Sequence, residues 1–211
     1  MDTPRFMPEE GLLCYPCRAV PPMFERAVAC TVYEGEVREM IHLLKYERMS
    51  GLAKLLAGRL ADAILMIHGE AARDLLVIAV PLFSSKQRER GYNQAELLAD
   101  AAIADLRQRA PEWRLRRTSG ILTRKRDTKS QFELNPTGRR RNMQNAFEVD
   151  ASRIVPGCEV LLIDDIYTTG ATARECARVL RRAGASKVWV ATLARAQTPR
   201  VELWGASPGF G

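Results

Sequence analysis

Asp164 and Asp165 stand side by side at the end of the apolar run VLLI at 160–163, and Ile166 and Tyr167 lead from them into the turn Thr168-Thr169-Gly170-Ala171-Thr172. Two carboxylates beside a turn of small hydroxyl residues suggest two adjoining binding functions. The turn runs straight into a helical pattern, and a helix N-terminus offers unpaired backbone N–H groups and a dipole that favours anions. Threonine hydroxyls add donors to the same anion, and a glycine lets the backbone approach it closely. The carboxylates would repel a phosphate unless they hold something neutral or cationic; sugar hydroxyls and Mg²⁺ are both suitable. A ligand with a phosphate at one end and a diol a few atoms away, such as a ribose 5-phosphate, satisfies both halves. The plainer alternative is a loop-capping acidic pair followed by an ordinary N-cap run, but it does not account for the whole order of strand, acid pair, threonine turn and helix.

Charge is the second signal. The 211-residue chain carries a net charge of +7. Residues 107–142 hold twelve Lys or Arg against three acidic residues, a local excess of nine. Such an excess attracts polyanions, whether nucleic acid or a small polyphosphate; its alternative is a solvated basic face. Aromatic residues for stacking bases are few there, with only Trp113 and Phe132 nearby.

The five cysteines are odd in number, and a disulfide framework is not expected. Cys14 and Cys17 have the CxxC spacing of a zinc knuckle, where two thiolates bind from one tight turn. One such pair is half of a structural zinc site. Cys158 and Cys176 fall within core elements and read as small buried hydrophobes. His42 and His68 sit on expected helices and receive no catalytic role.

The elements that must position these residues alternate between strand and helix. Strands are expected at 29–33, 74–82, GILTRK, AFEV, EVLLIDDI and SKVWVATLARA, with helices after Gly35, from Leu52 to His68, over AELLADAAIADLRQR and over TARECARVLRRAG. FSSKQRERGYNQ reads as a polar loop. Near-continuous Val, Ile and Leu in the strands suits a sheet covered on both faces, and the alternation implies an α/β fold with a mostly parallel central sheet flanked by helices. The expected organisation is a short Cys-containing segment at 1–28, one domain over 29–200 and a tail at 201–211. The longest apolar run, LLVIAVPLF, is about half of what a bilayer span requires, and the N-terminus lacks a basic, apolar leader. A cytoplasmic protein without membrane insertion is expected.

VLLIDDIYTTGAT closely resembles the phosphoribosyl pyrophosphate (PRPP) signature of the type I phosphoribosyltransferases. YEGEVREMIHLLKY, VPLFSSKQRERGYNQAELLA and LTRKRDTKSQFELNPTGRRRNMQNAFEV resemble, in order, the further motifs of its ComF/GntX branch. The resemblance spans about residues 12–196 and implies the type I phosphoribosyltransferase fold with a flexible hood loop. By that resemblance Asp164 and Asp165 hold the ribose hydroxyls, and Thr168, Thr169, Gly170, Ala171 and Thr172 hold the 5-phosphate. Ser84, Ser85, Lys86, Arg88 and Arg90 would meet the pyrophosphate, although KQRER also reads as the solvated start of the next helix. Arg124, Arg126, Gln131, Arg139, Arg141 and Asn142 would lie on the hood, whose alternative is a plain basic linker. Tyr167 is the nearest aromatic for an acceptor base. Members commonly carry two or more CxxC pairs before the core, so the single pair here puts Zn²⁺ at Cys14 and Cys17 in question.

The implied activity is Mg²⁺-dependent transfer of a phosphoribosyl group from PRPP, within nucleotide metabolism, to an acceptor that the sequence does not name. The branch is linked to competence and DNA uptake. The alternative is a non-catalytic PRPP-binding accessory that contacts single-stranded DNA or competence proteins; a homodimer is compatible with either. A receiver-like regulator built on the acid pair would leave the Thr-Gly turn unexplained.

Overall fold

The computed structural model describes residues 17–18, 20–127 and 143–196. Cys14, Gln131, Arg139, Arg141 and Asn142 lie outside them. The elements, in chain order, are β1 (Arg26–Val32), α1 (Gly35–Tyr46), α2 (Leu52–Leu65), β2 (Asp74–Ala79), α3 (Ser84–Arg90), α4 (Gln94–Arg109), β3 (Arg114–Thr118), β4 (Leu122–Arg124), β5 (Phe147–Val149), β6 (Glu159–Tyr167), α5 (Ala171–Arg182) and β7 (Lys187–Arg195).

Five strands form a parallel sheet in the order β1-β7-β6-β2-β3, and β4 pairs antiparallel with β5 in a separate two-stranded ribbon. One face of the sheet packs against α1, α2 and α4, with Ile41, Leu44, Leu60, Leu98, Leu161 and Ile163 in its core. The other face packs against α5 and the β4–β5 ribbon through Leu162, Val160, Cys176, Leu180 and Phe147. Alternate residues of β6 therefore enter opposite cores, which is why the run at 160–163 has no polar position.

From β2 the chain moves outward to β3, whereas from β6 it moves the other way to β7. The two crossover helices, α4 and α5, accordingly lie on opposite faces, as right-handed connections demand. The direction of winding reverses between β2 and β6, and in such sheets the crevice at the carboxyl ends of those strands is the place where ligands bind.

Several elements differ from the sequence expectation. The stretch read as a polar loop after β2 holds α3, a helix of seven polar residues, none of them buried. The arginine-rich RLRRT is β3, the outer strand beside β2. GILTRK and AFEV do form strands, but they pair with each other outside the parallel sheet. The first strand starts at Arg26, three residues before the expected 29.

Candidate active site

The register places Ala79 of β2 opposite Ile163, and Asp164 opposite Thr192 of β7. The acid pair therefore sits just past the last β2–β6 pair, at the reversal point of the sheet, while β6 runs on beside β7 to Tyr167. Because side chains alternate along a strand, the two carboxylates are turned to opposite faces. Asp164 shares a cleft with Leu162, Val80, Thr168, Gly170 and Thr172 on the α5 side. Asp165 is 4% exposed and faces α1, where the Nζ of Lys45 lies 2.7 Å from its Oδ2. The Oδ1 of Asp164 accepts the Asp165 backbone N–H at 2.9 Å, which fixes the two groups relative to each other.

Electrostatics at this point are strongly perturbed. Burial, and then the charge of Asp165, push the Asp164 carboxyl up to about 7, against the opposing pull of Lys45 and Arg124. Burial alone would lower the Lys45 ammonium, but the Asp165 carboxylate outweighs it and the net direction is upward. Arg124, on β4, lies over the Phe147 ring at 5.6 Å; burial lowers its guanidinium while Asp164 opposes that shift. The Cys176 thiol, buried beneath, is raised by desolvation and by Asp164. Two carboxylates and two cations thus share one desolvated cluster.

The threonine turn closes the other end of the cleft. Gly170 adopts φ +72° and caps α5, whose first residues are Ala171 and Thr172. A Cβ at Gly170 would lie 2.6 Å from Cζ of Tyr167, so only glycine fits beneath that ring. The Oγ1 of Thr169 is buried and has no hydrogen-bond partner. Buried hydroxyls are normally satisfied, and this one lies just before the N-terminus of a twelve-residue helix. Tyr167 carries Arg195 against its ring at 5.3 Å.

The segment assigned to pyrophosphate forms α3. Lys86 reaches Asp127, just after β4, at 3.7 Å. This pair joins α3 to the residues just after β4. Arg88 is exposed, whereas Arg90 is held by Gln94 at 2.8 Å and lies 5.1 Å over Tyr46. Ser84 is exposed and Ser85 half-buried. Asn93 serves the architecture, because it caps α4 through the Ala95 N–H and donates to the Val80 carbonyl, both at 3.0 Å. Of the hood candidates that are described, Arg124 joins the acid cluster, while Arg126 donates to the Gln144 carbonyl.

The basic excess is not one surface. Arg109 pairs with Asp62 and Asp105, Arg116 with Asp74, Arg117 with Glu96 and Asp100, and Lys125 with Glu148. Arg114 sits opposite Asp74 at the start of β2, at the far end of the strands from Asp164.

Among the described residues no cluster of three or more His, Cys, Asp or Glu could hold a metal. The acid pair offers two carboxylates, one of them already on Lys45, fewer free oxygens than a cation cage of its own would need. Cys17 accepts from the Arg174 guanidinium at 3.2 Å.

Sequence reasoning missed Lys45. A signal was present: Val37, Ile41 and Leu44 mark the buried stripe of α1, and residue 45 stands four after Ile41 on the same stripe. A lysine in that position calls for a buried acid.

A reversal-point cleft with an acid pair, a Thr-Gly turn and a parallel sheet defines the class. Residues 94–203, just over half of the chain, match the phosphoribosyl transferase domain family, and the chain belongs to that family as a ComF-type member. It is similar to the DNA utilization protein YhgH of Salmonella typhimurium, with 34% identity over 88% of this chain and 78% of that protein. It is also similar to competence protein F of Haemophilus influenzae, at 30% over 87% and 78%, and to competence protein ComFC of Streptococcus pneumoniae, at 26% over 79% and 67%. No helix among the described residues is long and apolar enough to cross a membrane.

Proposed function

We propose that the protein binds PRPP in the cleft between the acid pair and the threonine turn, and transfers its phosphoribosyl group to an acceptor. The observation that carries this reading is the cleft at the reversal point of the sheet, which brings Asp164 together with Thr168, Gly170 and Thr172 at the start of α5. In the proposed reaction the bond from the ribose anomeric carbon to pyrophosphate breaks, its electron pair leaves with pyrophosphate, and an acceptor nucleophile bonds that carbon. The turn at 168–172 holds the 5-phosphate by backbone N–H groups and hydroxyls. Asp164 and Asp165 hold the sugar hydroxyls and so orient the anomeric carbon. Lys86 and Arg88 meet the leaving pyrophosphate, and Arg124 adds positive charge above the cleft. Mg²⁺, when bound on the phosphates, would neutralise the leaving group.

The names of the relatives, DNA utilization and competence, support a role in handling or taking up DNA. Contact with single-stranded DNA or competence proteins is part of that proposal, as is a location in the cytoplasm.

Calorimetry with ribose 5-phosphate, and with PRPP plus Mg²⁺, tests the site. Binding in the micromolar range is expected, and Asp164→Asn combined with Asp165→Asn should abolish it. No heat with either ligand overturns the assignment. Pyrophosphate release across a panel of nucleobases then separates an enzyme from a binding accessory.

A further inference from the structure

The end of α1 is built into the site by more than one contact. Lys45 meets Asp165 at 2.7 Å, and the two side chains are only 16% and 6% exposed. On either side of Lys45, α1 is gripped by the segment that follows β2. The Tyr92 hydroxyl donates to the Leu44 carbonyl at 2.5 Å, Arg48 donates to the Glu89 carbonyl at 3.0 Å, and Arg90 lies over Tyr46. The ammonium thus stands on a strut joining the sugar-binding acids to the residues proposed for pyrophosphate.

We propose that Lys45 is a positioning residue that does at the acid pair what a divalent cation would otherwise do: it neutralises Asp165, aims it, and makes sugar binding independent of Mg²⁺. This rests on the reading of Asp164 and Asp165 as the grip on a sugar diol.

An unaccompanied acid pair would hold two negative charges a few ångströms from a phosphate site, repelling the ligand and drawing in hard cations. With Lys45 on one carboxylate and Arg124 beside the other, that deficit is already filled from within the chain. The contacts also divide the oxygens. The Oδ2 of Asp165 is taken by Lys45 and the Oδ1 of Asp164 by the Asp165 N–H. Neither carboxylate therefore presents both of its oxygens to a cation.

The test is calorimetry with ribose 5-phosphate in EDTA and again in Mg²⁺, on wild type, Lys45→Met and Lys45→Arg. Wild type should bind equally in both conditions, within about twofold. Lys45→Met should lose about tenfold or more in EDTA and recover part of the loss in Mg²⁺, as the metal enters the vacated charge position. Lys45→Arg should stay close to wild type. A purely packing role predicts a loss that Mg²⁺ does not relieve and that arginine shares, and that result overturns the proposal. So does a wild type that binds ribose 5-phosphate only with Mg²⁺, a measurement that stands even if Lys45→Met fails to fold. Retained binding in the Asp164→Asn, Asp165→Asn protein would instead sink the sugar-site reading, independently of Lys45.

Discussion

Alanine at Gly170 tests the turn by its two separate costs. At φ +72° an L-residue is in the left-handed region, which costs alanine about 1–2 kcal/mol. Its Cβ would also stand 2.6 Å from Cζ of Tyr167, with the hydroxyl closer still, so the ring must swing away. That movement gives up the Arg195 guanidinium stacked at 5.3 Å, a contact worth about 0.5–1 kcal/mol at a partly open site. Together Gly170→Ala should destabilise the protein by about 1.5–3 kcal/mol. The structure further says which part is relieved by what. Tyr167→Phe keeps Cζ and should leave the penalty high, whereas Tyr167→Ala removes the obstacle. In the Tyr167→Ala background the glycine substitution should therefore cost only the backbone share, about 1–2 kcal/mol. Urea denaturation of the four proteins of the cycle, followed by circular dichroism, measures the coupling. A Gly170→Ala loss under about 0.5 kcal/mol, or one of equal size with and without the tyrosine ring, would refute the reasoning.

Asp164 should leave a mark on the pH dependence of stability. Its folded pKa of about 7 lies above its ordinary 3.8, so the folded chain holds a proton that the unfolded chain has released. Its contribution to stability therefore falls as pH rises from about 4 to about 7 and stays low above that window. Urea midpoints at several pH values should show that slope flattened in Asp164→Asn; an unchanged slope would assign it to other groups. Asn93→Ala removes both the cap on α4 and the clasp on Val80 and should cost about 1–3 kcal/mol in the same assay. A loss within about 0.5 kcal/mol would mean that water replaces both bonds.

The Thr-Gly turn was legible because its signal is local. A buried strand, a pair of acids, small hydroxyl residues and a helix start follow one another within residues 160–172, and each position is set by its neighbours in sequence. What could not be read was set by partners far along the chain. The segment SSKQRER has no apolar face, so α3 carries no periodicity. RLRRT looks like a solvated run, yet Arg117 is drawn against Glu96 and Asp100 of α4. The surroundings of the acid pair are a further case: the pleat of β6 brings Arg124 near Asp164 and Lys45 against Asp165, two partners far away in sequence.

The charges of β3 have a meaning besides recognition. A strand on the outside of a sheet offers its unpaired backbone groups to any extended chain that drifts past, including another copy of the same protein. Here that strand bears Arg114 and Arg116, both exposed. Two such edges brought together would set guanidinium against guanidinium before any backbone bond could form. Part of the positive charge that resembles an invitation to polyanions thus acts as a fence along the β3 edge of the sheet.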